Sequence, residues 1–96
     1  MTMNLVIKQS NSFKRSIKRL TKHQKSVLDD EVKKLINNPC LGSRKKGDLD
    51  FLRVHKFKFI EQEFLLGYQY EDEQLILTLL KLGTHENFYR DIKKEI

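Results

Sequence analysis

Residues 82–89 place an ionisable imidazole beside two aromatic rings, directly after an apolar run. The segment reads Leu-Gly-Thr-His-Glu-Asn-Phe-Tyr, and His85 follows a Gly-Thr break, where a loop sets functional groups on a rigid support. Tyr89 comes four residues later, which brings both side chains to one surface if the segment is helical. A group that transfers protons beside a ring that stacks on bases suits chemistry on a nucleic acid.

A second group of candidate residues lies in the segment 51–59. His55 follows Arg53 by two positions, so in a strand both side chains leave the same face, and Phe57 and Phe59 continue that face. Such a strip could grip a phosphate, transfer a proton and stack on bases. The same spacing also fits a face whose aromatic rings pack under helices, with Arg53 and His55 at its edge. Period alone leaves both interpretations open.

Together these residues supply the groups for RNA cleavage without a metal. Attack of a 2′-hydroxyl on the adjacent phosphate needs a base, a donor for the leaving oxygen and cationic donors for the phosphorane. We predict His85 and His55 as the proton-transfer pair, with Tyr89 and Arg53 as supporting catalytic groups. The three histidines lack the short spacings typical of zinc ligands, so we expect neither a metal nor another cofactor.

Positive charge is concentrated in the first half of the chain. The net charge is +6, and residues 1–48 carry 12 Lys and Arg against 4 acidic residues. Such a half attracts phosphates or docks on an acidic protein, although a solvated helix surface has the same composition. Five cations near the predicted strands are the candidate nucleic-acid contacts: Arg44, Lys45, Lys46, Lys56 and Lys58.

Two helices are predicted after a short apolar strand at residues 3–7. From residue 12 the apolar side chains recur at spacings of four and three, which is the stripe of an amphipathic helix. Thr21 followed by Gln24 is a capping box, so a second helix begins there. Pro39 cannot continue the helical hydrogen bonds and ends that helix.

Three segments with strand character follow a basic loop at residues 41–50. They cover residues 51–59, 64–70 and 74–82, and they predict an antiparallel meander. The last of them is apolar on both faces, which indicates a strand covered on both sides. Residues 86–96 have the spacing of a short terminal helix.

The order of these elements predicts one α+β domain over residues 1–96. An N-terminal strand and a helical hairpin pack on a twisted antiparallel sheet in the order β-α-α-β-β-β, with a short C-terminal helix or tail. A chain of 96 residues holds one modest core. Because Cys40 is the single cysteine and no apolar run could span a membrane, we expect a cytoplasmic protein that does not associate with membranes.

The sequence resembles the RelE/ParE superfamily of bacterial type II toxins from about residue 5 to residue 93. The resemblance is carried by GSRKKGDLDFLRVHKF, FLLGYQY and LGTHENFY. It implies helices packed on one face of a twisted sheet. RelE-like members enter the ribosomal A site and cut mRNA with the concave sheet face, whereas ParE-like members poison DNA gyrase.

Among the ribosome-dependent nucleases the sequence is most similar to the YafQ-like subgroup. The catalytic residues of that subgroup match His55, His85 and Tyr89 by motif and spacing, with tyrosine in place of phenylalanine. A loop histidine of the subgroup is replaced here by Lys45 or Lys46. Its carboxylate after the strand histidine is replaced by Phe59, with Glu61 or Glu63 as the nearest substitute.

The resemblance therefore implies a ribosome-dependent mRNA endoribonuclease that arrests translation and growth. Its implied partners are the ribosome, mRNA and a cognate antitoxin that neutralises the cationic surface. Two other functions fit the same residues: a gyrase inhibitor that acts by protein binding, and a basic RNA-binding domain without catalysis.

Overall fold

Two helices and five strands make up the part of the chain that the computed structural model describes, residues 5–47, 50–84 and 87–90. In chain order they are β1 (Val6–Gln9), α1 (Asn11–Lys18), α2 (Lys22–Asn37), β2 (Ser43–Arg44), β3 (Arg53–Phe59), β4 (Gln62–Glu71) and β5 (Ile76–Thr84). Residues 87–90 are helical. They fall within the helix predicted over 86–96, of which residues 86 and 91–96 lie outside the described part. The α+β class is confirmed.

The strands form one sheet in the order β1-β5-β4-β3-β2. The predicted antiparallel meander of β3, β4 and β5 is confirmed. β1, however, runs parallel to β5, with Val6 opposite Ile76, so the sheet is mixed rather than antiparallel. No hairpin joins these two strands, and the direction of β1 is therefore free of the constraint that makes the meander antiparallel.

Side-chain caps fix where both helices begin. The Ser10 hydroxyl accepts the Phe13 N–H at 3.1 Å and donates to the Leu80 carbonyl at 2.6 Å, which ties the start of α1 to β5. The predicted capping box at α2 is present, since Thr21 and Gln24 exchange hydrogen bonds of 3.1 and 2.9 Å. The backbone N–H groups bound in this way have no partner within the helix itself.

Both faces of the sheet are apolar at the centre, but different elements cover them. On the helix face, which we define as the side under α1 and α2, the core consists of Phe13, Leu28, Leu35, Leu66, Tyr68, Leu77, Leu79 and Leu82. The opposite side, which we call the second face, holds a smaller cluster of Leu52, Val54, Leu65 and Phe88. The two faces therefore offer separate surroundings for the candidate residues.

The basic loop predicted over residues 41–50 contains the short strand β2, because Ser43 and Arg44 pair with β3. The buried Tyr68 holds the chain that leads into it: its hydroxyl donates to the Pro39 carbonyl at 2.7 Å and accepts the Gly42 N–H at 2.8 Å. A β-carbon on Gly42 would lie 2.7 Å from that hydroxyl oxygen, so glycine allows the close approach. The loop is thus fixed to the core at its start.

None of the described helical segments is long and apolar enough to cross a membrane.

Candidate nucleic-acid interface

A cation and an aromatic ring meet on the second face of the sheet. The Lys45 backbone N–H continues the ladder beyond β2 by donating to the Leu52 carbonyl at 2.9 Å. Its side chain places Nζ 5.3 Å from the centre of the Tyr89 ring, a distance at which an ammonium is attracted to the ring face. Lys45 and Tyr89 are therefore in contact although they lie far apart in the sequence.

Two further cations lie on the same face. Lys56 and Lys58 are exposed and occupy alternate positions of β3, so both side chains leave one side of the strand. Lys56 is directly opposite Leu65, which belongs to the second-face cluster against which Tyr89 packs. Cross-strand neighbours share a face, so Lys45, Lys56 and Lys58 lie on the same face of the sheet as the partly buried Tyr89.

Phe88 anchors this aromatic corner. It is fully buried among Leu52, Val54 and Leu65, and its ring meets the Tyr89 ring edge-on, with centroids 5.1 Å apart and planes at 86°. The Phe88 ring is buried, whereas Tyr89 is partly exposed. Tyr89 is thereby presented at the surface on a buried support.

His55 lies on the helix face instead. Its side chain is 12% exposed, and Nε2 is 2.8 Å from Oε1 of Glu31 on α2. The ring also stacks on Phe57 at 6.1 Å and 19°. His55 is opposite Leu66 of the helix-face core, which is the packed arrangement left open as the second interpretation of residues 51–59.

Glu31 is the buried carboxylate that sequence reasoning missed. It accepts a hydrogen bond from Lys34 at 2.7 Å as well as contacting His55. Burial would raise the pKa of Glu31, but the hydrogen bonds and charges of Lys34 and His55 outweigh it, so the pKa lies below its ordinary value. The available signal was its spacing, three residues after Leu28 and four before Leu35, which places it in the apolar stripe of α2.

Arg53 and Arg44 also lie on the helix face. They are direct cross-strand neighbours, and Arg53 is opposite the buried Tyr68 on its other side. The Arg53 guanidinium donates to the Gly42 carbonyl at 3.1 Å, and Arg44 Nε donates to the Asp50 carbonyl at 2.9 Å. The structure therefore separates these two arginines and His55 from the lysines and Tyr89.

The other four candidate residues are Lys46, Glu61, Glu63 and His85. Lys46 is exposed in the loop. Of the two carboxylates considered as substitutes, Glu61 is exposed in the turn between β3 and β4, and Glu63 is opposite Lys58, hence on the second face. His85 lies outside the described residues; in the chain it directly follows Thr84, the last residue of β5.

Within residues 5–47, 50–84 and 87–90, no group of three or more His, Cys, Asp and Glu side chains is arranged to hold a metal ion.

A mixed five-stranded sheet with a helical hairpin on one face and a cationic, aromatic second face defines a small α+β domain. Residues 7–93 match the model of a family described as the ParE-like toxin of type II bacterial toxin-antitoxin systems. The match spans most of the chain, and the chain belongs to this family.

Solved structures show the same fold. The intact RelBE toxin–antitoxin complex of E. coli aligns with a TM-score of 0.68 at 15% identity, covering 84% of this chain and 96% of that one. The isolated E. coli RelE toxin aligns with a TM-score of 0.66 at 14% identity, covering 97% and 100%. A substituted RelE bound to an antitoxin RelB peptide gives 0.66 at 16%, covering 85% and 84%. Comparison with curated proteins gives no match.

Proposed function

We propose that this chain is a ribosome-dependent mRNA endoribonuclease that inhibits translation in the cytoplasm. The observation that carries the proposal is that Lys45, Lys56 and Lys58 share the second face with Tyr89, whose ring Lys45 contacts. Cations that neutralise phosphates beside a ring that stacks on bases are the parts of a single-stranded RNA site. The fold likeness to RelE supports the same reading.

The proposed reaction is attack of a ribose 2′-oxygen on its own 3′-phosphorus. A base removes the 2′ proton, the bond from phosphorus to the 5′-oxygen breaks, and that oxygen takes a proton, which leaves a 2′,3′-cyclic phosphate and a 5′-hydroxyl. We assign proton donation to His85. Lys56 and Lys58 stabilise the charge on the phosphorane, and Tyr89 stacks on or orients the nucleotide.

The geometry changes the role that we propose for His55. Its Nε2 is held by Glu31 on the helix face, so we propose that it positions β3, the strand that carries both lysines, rather than exchanging protons with RNA. Glu63 is opposite Lys58 on the second face, and a carboxylate there is suited to accept the 2′ proton. Arg53 likewise supports the strand rather than the phosphate.

The proposed partners are the ribosome with its mRNA and a cognate antitoxin. The chain has a net charge of +6, and an acidic antitoxin segment that folds on binding would neutralise it. Two of the structures with this fold are toxin–antitoxin complexes, RelBE and RelE with a RelB peptide, which supports this expectation.

Primer extension on a reporter mRNA during in vitro translation tests the proposal. We expect discrete cuts with the wild-type chain, no cuts with folded His85→Ala, and no cuts on RNA without ribosomes. His55→Asn is the matched control: it should lose stability but cut at the same codons. If the wild-type chain is folded and arrests growth but leaves the mRNA intact, the proposal that it is a nuclease is wrong.

A gyrase inhibitor is the second candidate. It is favoured by the bond between His55 and Glu31, which removes one of the two histidines from an acid–base pair, and by the ParE-like description of the family. Inhibition of DNA supercoiling by purified gyrase, undiminished in His85→Ala, would identify it. RNA binding that survives loss of both histidines, without cleavage, would instead identify a binding domain.

A further inference from the structure

The paired arginines of β2 and β3 form a cationic centre on the helix face. Arg44 and Arg53 are directly opposite each other, an arrangement in which like charges repel. Each donates one hydrogen bond to a backbone carbonyl, Arg44 to Asp50 and Arg53 to Gly42. Within the described part of the chain, neither guanidinium forms an ion pair with a carboxylate. An external anion would relieve the repulsion.

A cavity of about 470 Å³ opens beside these arginines. Its walls combine aromatic rings and carboxylates with the two guanidinium groups, and the residues that matter are Arg44, Asp50, Phe51, Arg53, Tyr70 and Asp72. The two arginines of the cavity lie on the helix face, whereas Lys45, next to Arg44 in the chain, reaches Tyr89 on the second face. Phe51 lines the cavity and also packs against the second-face cluster.

The cavity is lined by both arginines and aspartates, and this mixture favours some anionic partners over others. Guanidinium forks bind carboxylates and phosphates in two-point geometry, but Asp50 and Asp72 at the same cavity repel a chain that carries a phosphate at every step. A polypeptide can instead present a single acidic side chain between neutral residues, and its backbone N–H groups can donate to those carboxylates. Phe51 and Tyr70 offer apolar contact to such a segment.

We infer that the cavity between Arg44 and Arg53 is a binding site for an acidic side chain of a partner polypeptide. Its identification as an antitoxin segment rests on the proposed function. The site pairs one carboxylate with both guanidinium groups, while the rim aspartates accept N–H groups of the same segment.

Titration of the ¹⁵N-labelled chain with short probes tests this site through the arginine Nε–H signals. The probes are a six-residue capped peptide of alternating alanine and glutamate, its glutamine counterpart, and hexauridylate. We expect the glutamate peptide to shift the Arg44 and Arg53 signals and the glutamine peptide to leave them in place. Hexauridylate shifting them at lower concentration than the peptide would overturn the inference in favour of RNA.

Matched variants separate the site from general charge. Arg44→Gln combined with Arg53→Gln should weaken binding of the glutamate peptide at least about tenfold, whereas Lys22→Gln combined with Lys33→Gln, with equal loss of charge on exposed positions of α2, should change it less than about threefold. Equal weakening in both pairs would overturn the site. Arg44→Lys, which keeps the charge at the exposed edge but loses the fork, provides a milder variant with weakened binding expected.

Peptide binding at Arg44 and Arg53 can be tested separately from mRNA cleavage. A chain that binds the glutamate peptide but cuts no mRNA keeps this site and loses the proposed function. A chain that cuts mRNA but ignores the peptide keeps the function and loses the site.

Discussion

The ring of Phe88 fills the space above Gly67 that a side chain would occupy: a β-carbon there would lie 2.5 Å from Phe88 Cζ. Since Phe88 is fully buried and adjoins Tyr89, the missing side chain in β4 determines where the tyrosine of the proposed RNA surface stands.

Gly67→Ala should therefore destabilise the chain and displace Tyr89. Overpacking of this kind costs about 1 to 3 kcal/mol, measured as a lower denaturation midpoint, and RNA cleavage should fall further than stability alone explains. Gly83→Ala is the control, because its β-carbon would meet only ordinary contacts, the nearest at 3.8 Å. Equal stability of the two variants would contradict the packing described for Phe88.

Tyr68→Phe should loosen the chain that follows α2. The change removes the hydroxyl that accepts from Gly42 and donates to Pro39, and leaving those buried groups unpaired costs about 1 to 3 kcal/mol. Urea unfolding measures the loss. Tyr70→Phe is the control. The Tyr70 hydroxyl is exposed and makes one bond of 3.3 Å to Asp72, so its removal should change stability by less than about 0.5 kcal/mol. An equal loss of stability in Tyr70→Phe and Tyr68→Phe would show that the bonds to Gly42 and Pro39 are not its source.

The contact between Glu31 and His55 predicts that the stability of the fold depends on pH in the acidic range. Since the pKa of Glu31 is lowered in the folded chain, its contribution is complete above the ordinary value of 4.5 and is lost as the pH falls through the lowered value. Glu31→Gln should be less stable than the wild type near neutral pH by about 1 to 3 kcal/mol. As the pH falls through the lowered pKa of Glu31, the variant should lose less stability than the wild type.

Thermal unfolding followed between neutral pH and about pH 3 measures this difference. Asp30→Asn, at the adjacent exposed position, is the control and should follow the wild-type profile. If the stability of Glu31→Gln falls with pH as steeply as that of the wild type, the Glu31 carboxylate is not the source of the pH dependence.

Lys56→Gln combined with Lys58→Gln should weaken binding of single-stranded RNA and make it less sensitive to salt. Each phosphate contact contributes about 0.7 to the slope of log affinity against log salt, so the slope should become shallower by about 1.4. Fluorescence anisotropy over a range of salt concentrations measures it. Lys22→Gln combined with Lys33→Gln should keep the wild-type slope; the same decrease in that pair would place the RNA elsewhere.

Local patterns predicted most of the fold. The capping box at Thr21 and Gln24 was readable because its hydrogen bonds join residues three apart, and the meander was readable because short turns join its strands. The parallel pairing of β1 with β5 was missed because no local feature determines which distant strand closes the sheet.

The candidate site was predictable in composition but not in arrangement. Alternation shows that Arg53, His55 and Phe57 share a face, yet it cannot show which face the helices cover. The covered face is seen only in contacts between residues distant in sequence. Glu31 of α2, 24 positions before His55, bonds its imidazole, and Leu66 of the helix-face core lies across from His55.

The pairing of β1 with β5 has a consequence for synthesis of the chain. Ser10 donates to a carbonyl 70 residues further along, so the sheet edge and the start of α1 cannot be completed until β5 has been translated. Contacts so distant in sequence form late because the loop-closure entropy must be overcome first. A nascent chain therefore cannot complete this fold before the ribosome has translated β5.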